Sequence, residues 1–318
     1  LDLLKLSLPI FVSYVSWVGM KTTDTAILGH VGTEYLSAAA LSDLYTSSSG
    51  VMIEGSVLTI FASQAIGAGN KKLAGVWLQV SLTLLTLLAI PVIALWTLGT
   101  YPVLRALGEE HQLASRAAYY AGTLALCIPA RIGFKQLVQY FQSQRIMRPS
   151  VITSCIAMCL NLVLGLVLVL GQPFPRILHA FGFPACPLVT CFAEYVQLLV
   201  LVGYFCLWKK LHQECWPGWS RAEVTGARLR TFAGIYLPAA LSVASDFWRM
   251  SAIGAMARLM GPTHLAVFNA SYRVLWMCLV FVGSIASAVS IKLGTAFGTG
   301  QAARAVHVTR AGLGLCAV

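Results

Sequence analysis

Five polar side chains sit where the surrounding sequence is almost wholly apolar, and their types suit ion or solute handling. Asp246 lies near the middle of an apolar run at about 231–257, with Arg249 three residues on. Asp24 lies in the outer part of a run at about 6–28, with Lys21 three residues before it. Glu54 and Glu194 fall mid-run in 41–66 and 186–208, and Asn161 lies within 150–171. Ionisable groups at membrane depth are costly and face a bundle interior or a water-filled cavity. A carboxylate there can exchange a proton as its surroundings change. It can instead be neutralised by a basic neighbour one helical turn away. Both readings stand for Asp246: an ion carrier, or the structural partner of Arg249. For Asp24 the structural alternative is an intrahelical pair with Lys21 near the outer surface. Glu54 and Glu194 either line a cavity that attracts cations or bond a hydroxyl on a neighbouring helix. An isolated membrane Asn such as Asn161 can simply glue helices together. Arg131 and Lys135 are read as snorkelling to the interface. Tyr14 and Trp248, beside these acids, can stack on a flat cation.

The elements that position these residues are transmembrane helices. Of 318 residues, 58% are hydrophobic and only 10% charged, with mean hydropathy +0.77. A soluble domain carries about 25% charged residues. Eight apolar runs are read as spans: 6–28, 41–66, 76–99, 114–139, 150–171, 186–208, 231–257 and 265–292, with a ninth starting near Ala303. Backbone amides in lipid must bond internally, so the spans are helices. The ~10-residue alternating segments of a membrane barrel are absent.

Basic residues fix the expected orientation. Lys71, Lys72, Arg145, Arg148, Lys209, Lys210, Arg221, Arg228, Arg230 and Arg304 follow even-numbered spans, whereas only Arg105, Arg116, Arg176 and Arg258 follow odd-numbered ones. The positive-inside rule then puts the N-terminus in the cytoplasm. The net charge of +11 is mostly this topology signal and is spread over loops. It therefore does not mark a nucleic-acid-binding module.

The chain also repeats itself. Shifted by 229 residues, Leu8-Pro9 falls on Leu237-Pro238, Ser13 on Ser242 and Ser42 on Ser271. With two residues inserted, Ala65-Ile66-Gly67-Ala68-Gly69-Asn70 falls on Ala296-Phe297-Gly298-Thr299-Gly300-Gln301. Six spans separate the copies, so both enter the membrane in one direction, as parallel repeats do. The fold class is an all-α polytopic membrane protein of two parallel six-helix repeats, the second incomplete. The expected divisions are an N-lobe at 1–209, a cytoplasmic linker at 210–230 and a partial C-lobe at 231–318. The pairs Gly67 with Gly69 and Gly298 with Gly300 suit helix-ending turns or hinges. Pro9 and Pro238, at matching positions, suit paired bends. Asp246 breaks the symmetry, because its repeat mate is Trp17.

An embedded enzyme would need a metal cluster or a Ser/Lys dyad at depth. The six histidines (His30, His111, His179, His212, His264 and His307) lie outside or at the ends of spans, and neither HExxH nor GxSxG occurs. The nine cysteines show no metal-ligand spacing and read as small reduced apolar residues. The chain is therefore expected to be no enzyme, with no catalytic residues, no metal and no cofactor. A non-transporting receptor or scaffold fits the repeat parity and the buried acids poorly.

Several motifs carry a family resemblance. They are Asp24-Thr25-Ala26-Ile27-Leu28-Gly29-His30-Val31-Gly32, Leu36-Ser37-Ala38-Ala39-Ala40-Leu41, Ala62-Ser63-Gln64-Ala65-Ile66-Gly67-Ala68-Gly69-Asn70 and Gln139-Tyr140-Phe141-Gln142-Ser143-Gln144. In this order the sequence resembles the multidrug and toxic compound extrusion (MATE) transporters, and its GHVG and SQAIGAGN look eukaryotic. The resemblance implies twelve helices in two lobes around a central cavity, with about 135 residues expected beyond this chain by repeat arithmetic. It implies export of organic cations, drugs or metabolites in exchange for protons or sodium. It further implies that Asp246, Asp24 and Asn161 carry the coupling ion, although the family often has Glu where Asp246 stands, and Lys21 departs from its pattern. Glu54, Glu194, Tyr14 and Trp248 would serve the cavity. The partners would be a small-molecule substrate, H+ or Na+ and membrane lipid, and the protein would work as a monomer. A lipid-linked-sugar flippase of the same superfamily, or a truncated product that transports nothing, are the alternatives.

Overall fold

The computed structural model describes residues 2–172, 181–260 and 262–317. Arg176 and His179 lie outside the described residues, as does the side chain of Arg258. Among the described residues all regular structure is helical.

The first span is one helix, α1 (Asp2–Val31). The second is two: α2 (Thr33–Gly50), a 3-10 turn at Val51–Ile53, and α3 (Leu58–Gly67). The third joins α4 (Lys71–Ala94) through a π turn at Leu95–Gly99 to α5 (Thr100–Ala106). The fourth is α6 (His111–Ala125) and α7 (Ile128–Ser143). Then come α8 (Arg148–Leu164) and α9 (Ala185–Val200), each prolonged by a π turn. Last are α10 (Gly226–Met260), α11 (Pro262–Gly298) and α12 (Ala302–Ala317). Six stretches are long and apolar enough to cross a membrane, namely Asp2–Val31, Thr33–Gly67, Lys71–Ala106, Arg148–Val169, Ala185–Trp208 and Leu275–Gly298. The chain is thus a multi-pass membrane protein.

Two of the expected unbroken spans are interrupted. The fourth breaks at Leu126 and Cys127, just ahead of Pro129, whose missing N–H cannot bond the preceding turn. The second opens at 54–57, where the freed peptide groups find partners on α7 and α10. The prolines expected to bend helices do not break them: α1 and α10 run on through Pro9 and Pro238.

The first six spans share one core, which Phe232, Tyr236 and Ala240 of α10 join. The most extensive helix packing is between α3 and α11. Glycine permits it. A Cβ on Gly67 would collide with the Thr295 carbonyl, one on Gly298 with the Gln64 carbonyl, and one on Gly294 with the Ser63 hydroxyl. Gly67 and Gly298 therefore do not turn the chain, as expected of them, but let two backbones meet. The turning falls to Gly69 (φ 80°) and Gly300 (φ 71°). Each is followed by the same closing bonds, Asn70 N–H to Ala65 O at 3.0 Å and Gln301 N–H to Ala296 O at 3.0 Å, which is the Schellman helix ending. The repeat seen in sequence is thus a repeat in hydrogen bonding.

The connection between α9 and α10 packs on α4. Gln79 donates to the Gly218 carbonyl at 2.7 Å and accepts from Ser220 N–H at 3.0 Å. Lys71 meets Glu214 at 2.9 Å, a hydrogen bond that holds the Glu214 carboxyl below its usual range.

Filling the seam should be destabilising. Gly298→Val is expected to cost about 1–3 kcal/mol, as overpacking does, read as a lower midpoint of thermal unfolding in detergent.

Candidate functional site

The face of α7 repeats polar side chains at Arg131, Lys135, Gln139 and Gln142, spacings of three and four that stack on one side of a helix. Arg131 is the hub. Its Nη2 lies 2.6 Å from Glu194 Oε1 and its Nε 3.1 Å from Glu194 Oε2, a two-pronged pair with α9. Its Nη1 lies 3.9 Å from Glu54 Oε1. Lys135 reaches Glu54 Oε2 at 2.7 Å. The pair Arg131–Glu194 is nearly out of solvent, whereas the Glu54 side chain keeps a third of its surface exposed. Snorkelling is therefore the wrong account of Arg131 and Lys135. Both point inward and neutralise the two acids expected to stand open to cations.

Two cavities meet at this cluster. One, of about 330 Å³, is lined by Tyr14, Phe134, Lys135, Glu194, Gln197 and Val280 among others. The second, of about 520 Å³, is lined by Lys21, Asp43, Trp96, Phe247, Tyr272 and Met277 among others. Trp17, Val18, Glu54, Arg131 and Trp276 border both, so the ion-paired cluster and two indole rings form their common wall.

Asp24 forms a separate site between α1, α8 and α9. It is 4% exposed. Its Oδ2 accepts from Thr190 Oγ1 at 2.7 Å and its Oδ1 from Asn161 Nδ2 at 3.1 Å. Asn161 Oδ1 is buried without a hydrogen-bond partner. Lys21 turns away from Asp24 to Asp43 on α2, at 2.8 Å. The intrahelical pair considered from the sequence is thus replaced by an interhelical one. Carboxylate and hydroxyl oxygens meet here, with the Asn161 amide nitrogen donating to both, and such a carboxylate can take up a proton.

The other sequence candidates scatter. Tyr14 lines the smaller cavity and shares a hydrogen bond with Ser287 on α11 at 3.1 Å. Asp246 is exposed and joined to Arg249 at 3.0 Å, away from the Asp24 site and lining neither cavity. Trp248 does not stand in the cavities either: its indole N–H bonds the Ser48 carbonyl at 3.0 Å. Sequence reasoning missed Thr190 and Asp43 as site residues. Thr190 carried no signal among many membrane hydroxyls. Arg131 and Lys135 did carry one: two cations four residues apart within a span suggest a shared acidic partner.

A family model described as MatE matches residues 9–167. The chain is 29% identical over 309 residues to multidrug and toxin extrusion protein 1 of Danio rerio, covering 96% of this chain and 50% of that protein. It is 26% identical over 302 residues to the Homo sapiens protein of the same name, covering 94% and 51%. The chain thus spans about half the length of the curated relatives it matches. Its fold follows that of the eukaryotic MATE transporter AtDTX14, with TM-score 0.87 at 20% identity over 99% of this chain and 69% of that one. A MOP superfamily transporter from Pyrococcus furiosus gives TM-score 0.82 at 17% identity, covering 99% and 68%.

Removing one partner of the buried pair should be costly. Arg131→Met is expected to destabilise by about 3–5 kcal/mol, because Glu194 is left uncompensated, whereas the added change Glu194→Leu should recover most of the loss. Thermal unfolding of the two variants in detergent distinguishes the outcomes.

Proposed function

This chain belongs to the MatE family, and from that membership and the geometry above we propose a secondary antiporter that exports organic cations, drugs or metabolites in exchange for protons or sodium ions. The observation that carries this reading is the pair of cavities that share the wall of Glu54, Arg131, Trp17 and Trp276, with the Asp24–Asn161–Thr190 site set apart from them. The indoles offer flat faces for a planar cation. Glu54, the more exposed acid, is the one a substrate charge can reach by competing with Lys135. Loading Asp24 with an ion changes the charge facing Lys21 and Asp43 on the cavity wall. Ion and substrate then favour different conformations, which is the linkage an exchanger needs.

The same reading divides the protein into an N-lobe at 1–209, a linker at 210–230 and a C-lobe from 231, working as a monomer with its N-terminus in the cytoplasm. The basic loops and the linker packed on α4 support it. The glycine seam of α3 and α11 then closes the cytoplasmic side, leaving the cavities to the outside. Asp246 is assigned to the coupling path of the C-lobe, distinct from Asp24.

Vesicles carrying the full-length protein provide the test, with ethidium as the transported cation and an imposed pH or sodium gradient. Asp24→Asn is expected to lower gradient-driven flux at least about tenfold, because the lost carboxylate carried the ion's charge. Asp246→Asn is expected to weaken coupling as well. Full flux in both variants, or wild-type flux indifferent to both gradients, would overturn the proposal.

A further inference from the structure

Glu54 sits at the start of the helix break at 54–57 and is held in place by what bonds that break. A helix opened in a membrane must have its freed peptide groups bonded by protein. Here one side chain serves two of them. Tyr236 on α10 accepts from the Gly55 N–H at 3.0 Å and donates to the Met52 carbonyl at 3.1 Å. Gln139 on α7 serves the Gly55 carbonyl at 3.3 Å. The fit to Gly55 leaves no room, since a Cβ there would stand 2.6 Å from the Tyr236 ring.

Tyr236 lies on the buried face of α10. Phe232, Tyr236, Ala240 and Ala244 form a buried stripe at four-residue spacing. The ring stacks on Phe232 at 5.8 Å, and Phe232 packs on Phe61 at 5.3 Å and Trp77 at 6.4 Å. The hydroxyl is therefore carried by α10 and seated against α3 and α4. It grips the peptide that links Glu54 to Gly55, and the Glu54 carboxylate projects from there to Lys135. In the repeat register the mate of Tyr236 is Ser7, which has no ring to fill such a break.

We infer that Tyr236 is the positioning residue through which α10 controls Glu54. With α10 seated, the hydroxyl clamps the break and keeps Glu54 on Lys135 and Arg131. When α10 shifts relative to α2 and α3, the clamp withdraws, the break relaxes, and Glu54 becomes free to meet a cationic substrate. The inference rests on the proposed transport function for its last step, whereas the clamp itself is a property of the fold.

The experiment uses the full-length protein and Tyr236→Phe, which keeps the ring and deletes both hydrogen bonds. Hydrogen exchange of peptides covering 51–60 should become about tenfold faster in the variant, with the flanking helices unchanged. In vesicles, KM for ethidium should change about fivefold with maximal flux held within about twofold. In a Glu54→Gln background the same change should have no further effect on KM, because both act through one group. A thermal midpoint close to wild type checks that the variant folds. Unchanged exchange overturns the clamp. Faster exchange with KM effects that multiply in the double variant overturns the link to Glu54. If the wild-type protein carries no ethidium, the transport reading fails by itself, and the exchange result alone decides for or against the clamp.

Discussion

A guanidinium shared between two carboxylates organises the interior of this protein. A charge left alone in a low-dielectric interior costs far more than one with a partner. Arg131 must therefore keep Glu194 of α9 within reach, and Glu54 must come toward the same place from the second span. Glu54 leaves the span at the point where its helix stops, and the stop requires donors and acceptors from elsewhere. Gln139 comes from α7 itself, about two turns along the same face as Arg131, and Tyr236 comes from α10. The paired charges, the broken helix and the packing of α10 are thus one structure, and each part depends on the others.

The acids divide by the company they keep. Glu54 and Glu194 are matched by fixed cations, so the common wall of the cavities has local charge but little net charge. Asp24 is hydrogen-bonded by an amide and a hydroxyl, which are neutral donors, with the charge of Lys21 nearby but paired to Asp43. A compensated acid changes little when an ion is offered, because its own cation must first be displaced. An acid held by neutral donors faces no such competition at its own oxygens. In the exchange proposed above, this contrast sets a surface suited to a solute apart from a site suited to an ion, within a few helical turns of each other.

Much of the fold was legible in the sequence. Apolar runs marked six stretches long and apolar enough to cross, because a membrane imposes length and composition on every crossing segment, whereas the runs at 114–139 and 231–257 are not among the six. The offset repeat anticipated the paired turns at Gly69 and Gly300, since a left-handed residue is a local requirement. What was not legible depended on rotation about helix axes. Spacing alone suggested Lys21 for Asp24 and Arg249 for Asp246, as neighbours on one helix. The first pair dissolved once α2 brought Asp43 against Lys21, and the second formed. Trp248 was placed in the cavity by closeness in sequence, yet its indole turns to the Ser48 carbonyl, while Trp17 faces both cavities. The break at 54–57 carries only Gly55 as a sequence signal, and its partners come from remote helices.

The seam of α3 and α11 has an entropic consequence. Side chains that interlock on contact lose rotamer freedom, up to about 2 kcal/mol for the longest of them. At Gly67 and Gly298 the contact is backbone against backbone, and at Gly294 the only side chain met is the short Ser63, so there is little to freeze. Parting or rejoining these helices at the three glycines leaves side-chain entropy almost untouched. The seam can therefore close or open without the rotamer entropy cost that long interlocking side chains would add.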